Sequence, residues 1–341
     1  MSAPMEGFMS ATGPLSTLGR ESARQWQREP LLFLHRLHVD PRFQPSALAA
    51  LIERYPRTQY SIVQTGERNG GKRIWREGDF GRASGEQVID AISQGRLWLN
   101  LRNTHEVDAR MRDTMMRIFA EAQILDAPLY SHGHRMGVLI SSPGAQVYYH
   151  ADLPGQGLLQ LQGRKRIYLY PPREPYLSDE GLENIALSQL EVGLRYDRAF
   201  DRAATIVDLE PGQGLFWPLN SPHRIENHDS LNVSVTLEYW TEEIRRRQIV
   251  NLANAILRHH YGRVPRSRSL SAPSFYAKAA LQAFWRRSGK LDARRRATRP
   301  IEFQLDPAHP GTLVESLPAR ATDDASTSRE PPHREKPGAS S

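Results

Sequence analysis

Residues 137–163 read GVLISSPGAQVYYHADLPGQGLLQLQG, a series of short apolar runs separated by glycine, proline and polar residues. The pattern continues to residue 240 through RIYLYPP, TIVDLEPG, GLFWPLNSP and NVSVTLEYW. Runs of about four to eight residues that are rich in β-branched and aromatic side chains, with turn residues between them, are typical of antiparallel strands. The sequence therefore predicts a mainly β barrel or sandwich over residues 128–242.

The segments on either side of this region differ from it in composition. Residues 26–55 contain apolar positions three and four apart, which indicates helix. Both ends of the chain are rich in small polar residues and proline, a composition that does not form a core. The predicted boundaries are a disordered N-terminus at 1–25, a helical and mixed flank at 26–127, the β region at 128–242, a basic helical segment at 243–299 and a disordered tail at 300–341.

Composition excludes several classes of protein and of site. The 341 residues include no cysteine, so disulfides, thiolate metal sites and cysteine nucleophiles are excluded. No apolar run approaches the ~20 residues that a membrane-spanning helix needs. The N-terminus lacks a basic region followed by an apolar core and does not resemble a secretory signal. We therefore expect a cytoplasmic protein whose metal ligands, if any, are His, Asp or Glu.

The positive charge is concentrated near the C-terminus. Residues 244–299 contain 15 Lys and Arg against one acidic residue, Asp292, so they carry +14 and the rest of a chain of net charge +7 carries −7. A basic amphipathic helix here would contact nucleic acid or an anionic membrane. The alternative, which we favour, is that these helices pack on the β region or against a second copy in a homodimer.

Two histidines and a carboxylate form the main candidate site. His150 and Asp152 are two residues apart in a predicted strand, so both side chains lie on the same face of the sheet. His223 follows the apolar strand that ends in FWPLNSP. Two histidines and one carboxylate form the facial triad of non-haem Fe(II) oxygenases, which leaves coordination positions open for co-substrate and O₂.

The residues around the triad have a characteristic spacing. Gly144 is six residues before His150, Gln156 is four after Asp152, and Gly163 is seven after Gln156. The second part of the pattern is G-x5-P-x4-H-x3-N, formed by Gly212, Pro218, His223 and Asn227. These spacings resemble the two motifs of the cupin superfamily, with Asp152 in place of a histidine and Gln156 in place of a glutamate.

The segment QLQGRKRIYLYPP at 160–172 resembles the corresponding strand of JmjC-type hydroxylases, and Lys165 occupies the position of the lysine that binds the distal carboxylate of 2-oxoglutarate. Residues 128–240 thus resemble a JmjC or cupin-like domain of the factor-inhibiting-HIF type. This resemblance implies a double-stranded β-helix, or jelly roll, flanked by helices at both ends. It also implies Fe(II) held by His150, Asp152 and His223.

The same resemblance implies how 2-oxoglutarate is bound. Lys165 would pair with its far carboxylate, helped by a hydroxyl from Tyr130, Tyr148 or Thr236, and Gln156 would donate a further hydrogen bond. Residues 181–201 are our candidate for a lid over the substrate. The expected reaction is hydroxylation of a protein side chain or a small molecule, in preference to demethylation.

Two other functions remain open at this stage. One is a cupin-like regulatory or binding protein that holds a metal without turnover. The other is a metal-dependent isomerase or dioxygenase that uses no 2-oxoglutarate. His132 and His134 are interpreted as loop residues outside the site, because no strand framed by glycines surrounds them.

Overall fold

The computed structural model describes residues 14–68, 72–125, 129, 132–188, 194–289, 291, 300–309 and 311–315. The strands in these ranges are β1 (Leu31–Leu34), β2 (Tyr60–Arg68), β3 (Lys72–Asp79), β4 (Leu97–Leu101), β5 (His132–Ser141), β6 (Gln146–His150), β7 (Gly155–Gln162), β8 (Lys165–Leu169), β9 (Thr205–Leu209), β10 (Gln213–Phe216), β11 (His223–Asn227), β12 (Asn232–Trp240), β13 (Ile301–Leu305) and β14 (Leu313–Glu315). The helices are α1 (Arg20–Gln25), α2 (Pro45–Glu53), α3 (Gly85–Gln94), α4 (Thr104–Val107), α5 (Ala109–Ala122), α6 (Asp179–Ser188), α7 (Glu242–Tyr261) and α8 (Pro273–Arg287).

The strands form two sheets. The larger has the order β1-β10-β7-β12-β5-β4-β2-β3-β13-β14, and the smaller has the order β6-β11-β8-β9. From β5 to β12 the chain crosses to the other sheet at every connection except that from β8 to β9, which are neighbours in the smaller sheet. This is the arrangement of a double-stranded β-helix. The predicted jelly-roll core with flanking helices is confirmed. Among the described helices, none is long and apolar enough to cross a membrane.

An apolar layer fills the space between the two sheets. It contains Leu158 and Leu215 from the large sheet and Ile167, Leu169 and Ile225 from the small sheet. Side chains alternate in direction along a strand, so residues two or four positions from these also face the interior. The opposite face of the large sheet carries a second, larger core, which the N-terminal helices cover.

The N-terminal flank contains more strand than the sequence predicted. Residues 26–55 were predicted to be helical, but β1 lies within them and pairs with β10 at the edge of the barrel. The apolar LLFL run of β1 alternates between buried and exposed, which is a strand pattern too short to stand out beside the helix that follows. The predicted disorder over residues 1–25 is also wrong in part, because Leu15 is buried and α1 forms. Residues 1–13 lie outside the described ranges.

The C-terminal tail also departs from the prediction. Residues 300–341 were predicted to be disordered, yet β13 pairs in parallel with β3 and β14 completes the edge of the large sheet. Phe303 of β13 is fully buried. The remainder of the tail, from residue 316, is outside the described ranges. His132 and His134 are likewise strand residues of β5 and not loop residues, and the His134 ring stacks on Phe119 with centroids 3.9 Å apart.

Candidate metal centre and cavity

His150, Asp152 and His223 come together at one end of the barrel. Each offers one ligand atom, and these three atoms lie within 4.8 Å of one another. Among the described residues this is the one group of three or more His, Cys, Asp or Glu side chains that meets that distance. The Nε2 atom of His223 is 3.5 Å from the Asp152 carboxylate, and the two imidazole rings are 4.1 Å apart. His150 and His223 are cross-strand partners on β6 and β11.

Backbone carbonyl groups orient both imidazole rings. Nδ1 of His150 lies 2.7 Å from the carbonyl oxygen of Tyr148, and Nδ1 of His223 lies 3.0 Å from that of Ser221. A carbonyl only accepts hydrogen bonds, so each Nδ1 carries the proton and each Nε2 keeps its lone pair. The hydrogen bond at Nδ1 fixes the tautomer and the orientation of each ring. Nε2 is then available to bind a metal.

Burial disfavours charge at this end of the barrel. It raises the pKa of Asp152, although the nearby His150 partly opposes the shift, and it lowers the pKa of His223 well below its usual value. A divalent cation would compensate the buried carboxylate and would use the two neutral imidazoles as they stand. The donor set, two nitrogens and one carboxylate oxygen, therefore fits a first-row transition metal such as Fe(II).

Asp152 lies outside the strand that the sequence predicted for it. Strand β6 ends at His150, and Asp152 lies in the loop before Pro154, which has no N–H to continue the pairing. Asn220 keeps this loop in place: its Nδ2 donates to the carbonyl of Asp152 at 2.6 Å. Asn220 itself has φ of 61°. Sequence reasoning missed it, although Asn is one of the few residues that adopt this left-handed conformation readily.

Lys165 is a buried cation in the barrel interior. It begins β8, where it shares the buried face with Ile167 and Leu169, and only 3% of it is exposed. Burial lowers its pKa to about 7. Within the described residues, its ammonium makes no hydrogen bond and has no carboxylate within 4.0 Å. Such a group is costly unless an anion joins it.

The ladder between β8 and β11 sets the distance from Lys165 to the triad. Lys165 pairs with Asn227, and Leu169 pairs with His223, so the two positions are four residues apart, or ~13 Å along the strand. A lysine side chain and a five-carbon diacid together cover this distance. The Asn227 amide is occupied, because it donates to Ser141 and to the carbonyl of Ser142. Asn227 thus connects β11 of the smaller sheet to the end of β5 in the larger sheet, next to Lys165.

The other residues predicted to bind 2-oxoglutarate differ in where their side chains lie. Thr236 lines the same cavity as His150. Gln156 is half-buried on the interior-facing side of β7, two residues before Leu158. The Tyr148 hydroxyl instead donates to the carbonyl of Gly66 at 2.6 Å, so it is engaged with β2. Tyr130 lies outside the described residues.

The motif glycines form the turns between the strands that carry the site. Gly144, Gly163 and Gly212 all have positive φ, at 65°, 71° and 90°. At Gly163 a side chain is also excluded by space, because a Cβ atom would lie 2.4 Å from the carbonyl oxygen of Leu231. Pro218 lies in the turn between β10 and β11. The motif spacing thus reflects the turns that bring the two histidines together.

A cavity of about 1100 Å³ lies beside the triad. Besides His150 and Thr236, its walls include the indole rings of Trp75, Trp98 and Trp240. Sequence reasoning missed two polar groups in it. Glu238 has its pKa raised, mainly by burial and further by the negative charge of Asp152. Asn100 has a buried side-chain oxygen without a hydrogen-bond partner among the described residues. Asn100 lies in β4 and Glu238 in β12, and the sequences of these strands alternate between buried and less buried positions without marking either residue as part of a site.

The candidate lid at residues 181–201 is held in place at both of its described ends. In α6, Glu183 is 1% exposed and accepts hydrogen bonds from Arg258 at 3.0 Å and Arg268 at 2.8 Å. At the other end, Asp201 accepts from Tyr170 at 2.5 Å and from Arg224 at 2.9 Å. Residues 189–193 are outside the described ranges. Because Ile185 and Ala186 of α6 line the cavity, this insertion supplies part of its wall.

Comparison with known proteins gives partial matches. No family model matches the chain. Over 120 residues, 33% of the chain, it is 34% identical to HSPB1-associated protein 1 of Rattus norvegicus and of Homo sapiens. The match covers 25% of the rat protein and 24% of the human protein, so the chain spans about a quarter of the length of the curated relatives it matches.

Solved structures with a similar chain course include YcfD of Escherichia coli. One YcfD structure has a TM-score of 0.48 and 16% identity, and the match covers 84% of this chain and 70% of that one. Another, described as a ribosomal oxygenase in complex with cobalt and 2-oxoglutarate, has a TM-score of 0.44 and 16% identity, with 83% and 72% covered. The strand order given above independently shows the barrel that JmjC and cupin-like domains share.

Proposed function

We propose that this chain is an Fe(II)- and 2-oxoglutarate-dependent oxygenase, with His150, Asp152 and His223 as the iron ligands and Lys165 as the anchor of the co-substrate. The observation that carries the proposal is the pairing of two features in one barrel. A two-histidine, one-carboxylate group lies at one end, and a buried ammonium without a counter-charge lies farther inside. A diacid that chelates a metal at one end and carries a carboxylate at the other satisfies both.

The protein's own groups would prepare the site for this chemistry. An iron held by these three residues would supply oxidising chemistry, in which 2-oxoglutarate and O₂ become succinate and CO₂ and one oxygen atom enters a substrate C–H bond. Carbonyl groups of Tyr148 and Ser221 orient the two imidazoles, and Asn220 orients the Asp152 loop. Lys165 would fix the far end of the diacid, and the apolar layer between the sheets would exclude water from it.

We further propose hydroxylation as the outcome, because it is the direct product of oxygen insertion and needs no N-methyl group in the substrate. Two considerations favour a protein substrate. The name of HSPB1-associated protein 1 reports that this relative associates with another protein. The cavity, at about 1100 Å³, also exceeds the ~300–1000 Å³ that is usual for small-molecule sites.

The test is succinate formation from 2-oxoglutarate by the full chain with Fe(II), ascorbate and O₂, followed by NMR. We expect turnover in the wild type and none in Asp152→Ala, together with loss of bound iron. The control is Asp208→Ala, which removes a carboxylate on β9 that pairs with Arg166 away from the triad. Iron binding at wild-type stoichiometry in Asp152→Ala would remove that residue from the site.

A cupin-like metal-binding protein without turnover is the second candidate. It predicts that iron binds to the wild type through the same triad but that no succinate forms. Lys165 argues against it, because a protein that needs only the metal gains nothing from a buried cation that costs stability.

A further inference from the structure

The basic C-terminal segment, which the sequence left without a role, forms one wall of the cavity beside the triad. Arg245, Gln248, Ile249 and Leu252 of α7 and Gln282 and Arg286 of α8 line it. Helix α7 is held there by packing against α6, where Leu252 and Ile256 meet Ala186 and Leu187. Two helices of the basic C-terminal segment therefore face the place where a substrate would enter.

The described lining of this cavity is strongly positive. Arg102 and Arg135 lie on the sheet side, and Arg245 and Arg286 lie on the helix side. Glu238 is the one carboxylate among the lining residues that the structure describes. These four arginines come from four separate segments, so their convergence is a property of the fold and not of a local run of charge.

The cavity arginines lack close carboxylate partners, whereas their neighbours on α7 have them. Arg247 pairs with Glu243 at 2.6 Å and Arg246 with Glu242 at 2.9 Å, each one helical turn away. Arg245 comes no closer than 4.0 Å to Glu242. Close ion pairs are thus made by Arg246 and Arg247, which do not line this cavity, and not by Arg245, which does.

The other three cavity arginines show the same lack of tight pairing. Arg286 has the neutral Gln282 amide beside it, and Arg102 donates to the carbonyls of Thr58 and Tyr60. Neither has an acidic side chain within 4.0 Å in the described part of the chain. Arg135 is 3.8 Å from Glu238, beyond the range of a charge-assisted hydrogen bond. These guanidinium groups keep donors free for an anionic ligand.

The volume and the shape of the walls favour a polypeptide over a nucleic acid. A segment of extended peptide would occupy a cavity of this size, and its carboxylates would meet the arginines in the bidentate geometry that guanidinium favours. Binding of single-stranded nucleic acid depends on exposed aromatic faces on which bases stack. Here Trp75 and Trp98 are tilted by 51° with ring centroids 5.8 Å apart, so no base fits between them.

We propose that this cavity binds an acidic segment of a polypeptide, with Arg245 and Arg286 of the C-terminal helices as specificity-determining residues. The inference rests on the proposed function only in taking this cavity as the substrate site. The binding of acidic peptide itself needs neither iron nor 2-oxoglutarate.

The test measures peptide binding directly. A short fluorescein-labelled peptide of alternating Glu and Ala is titrated with the full-length, metal-free chain, and fluorescence anisotropy gives the affinity. The double variant Arg245→Gln/Arg286→Gln removes both helix charges from the cavity. Arg247→Gln/Arg287→Gln is the matched control, since it removes one charge from each of the same two helices at positions that do not line this cavity.

We expect the double variant to weaken binding by about tenfold, with a shallower dependence on salt, and the control to stay within about twofold of wild type. A Lys and Ala peptide should not bind. The proposal is overturned if the acidic peptide fails to bind wild type or if Arg247→Gln/Arg287→Gln weakens binding equally. It is also overturned if a labelled oligouridylate of equal length binds more tightly through the same arginines. The titration measures neither iron binding nor 2-oxoglutarate binding. Its failure would therefore not count against the proposed function, which has its own test.

Discussion

Asn220 connects the loop that carries Asp152 with the turn that precedes His223. Its side-chain amide donates to the carbonyl of Asp152, and the next residue, Ser221, accepts from the imidazole of His223. The positive φ of Asn220 directs its side-chain amide toward the Asp152 loop. A residue of this kind acts on the metal through the ligands it orients, and such residues commonly change metal affinity by about 10- to 100-fold.

Two substitutions of Asn220 separate the effect of its amide from the effect of its backbone conformation. Asn220→Gly keeps the left-handed conformation without strain and loses the amide, whereas Asn220→Ala loses both. We expect each to weaken Fe(II) binding at least about tenfold in an anaerobic titration, and Asn220→Ala to lose about 1 kcal/mol more unfolding free energy than Asn220→Gly. Wild-type iron affinity in Asn220→Gly would show that the amide does not position Asp152.

Lys165 gives 2-oxoglutarate binding a defined pH dependence. Burial lowers its pKa to about 7, so the side chain is largely neutral at pH 8 before the diacid binds. A carboxylate beside it favours the ammonium form and raises the pKa again, so binding at pH 8 takes up nearly one proton, and at pH 6 almost none. The apparent affinity should therefore fall about tenfold per pH unit above 7.

Calorimetry in two buffers of different ionisation enthalpy measures this proton uptake. Lys165→Arg is the comparison, because guanidinium stays charged throughout and should bind without uptake. Zero uptake at pH 8 by the wild-type protein would contradict the assignment of Lys165 to the carboxylate.

At the level of elements, β13 connects the C-terminal tail to the body of the protein. Phe303 is fully buried, its ring lies against Gly78 of β3, and a Cβ atom at that glycine would be 2.2 Å from it. The Arg76 guanidinium covers the ring with its carbon 5.7 Å from the centroid. The tail strand is thus part of the packed structure, although its composition resembles that of a disordered tail.

Phe303→Ala tests this packing. Truncating a fully buried phenylalanine removes its burial and leaves a cavity, so we expect a loss of about 3 to 5 kcal/mol in unfolding free energy. Phe284→Ala on α8 is the control, because that side chain is 60% exposed and its loss should cost less than about 0.5 kcal/mol. Guanidinium denaturation measures both, and equal stability of the two variants would contradict the packing of β13.

For the molecule as a whole, the sequence predicted the barrel and the residues of the triad because both leave local patterns. Strand alternation marks the strands, and Gly144, Gly163 and Gly212 mark turns between them at which φ is positive. Contacts between residues far apart in sequence leave no such pattern. Strand β13 pairs with β3, which lies more than two hundred residues earlier, so the sequence around Phe303 does not indicate which strand it pairs with.

The walls of the cavity were unpredictable for the same reason. Arg102, Arg135, Arg245 and Arg286 converge only after the chain has folded, and in the sequence each is one arginine among many. Asn220 is different, because its place in a turn three residues before His223 was visible and its role was not. The fold and the candidate ligand group are thus encoded in local patterns, whereas the walls of the proposed substrate cavity depend on tertiary contacts.

The triad and Lys165 are expected to bind one dicarboxylate co-substrate, which would chelate iron at one end and pair with the lysine at the other. The most direct measurement is an anaerobic titration of the Fe(II)-loaded chain with 2-oxoglutarate, followed through the weak visible charge-transfer band of the chelate. We predict a band that saturates at one equivalent in the wild type and needs far more 2-oxoglutarate in Lys165→Ala, with iron still bound. Iron binding without any band in the wild type would contradict the assignment of this site to 2-oxoglutarate.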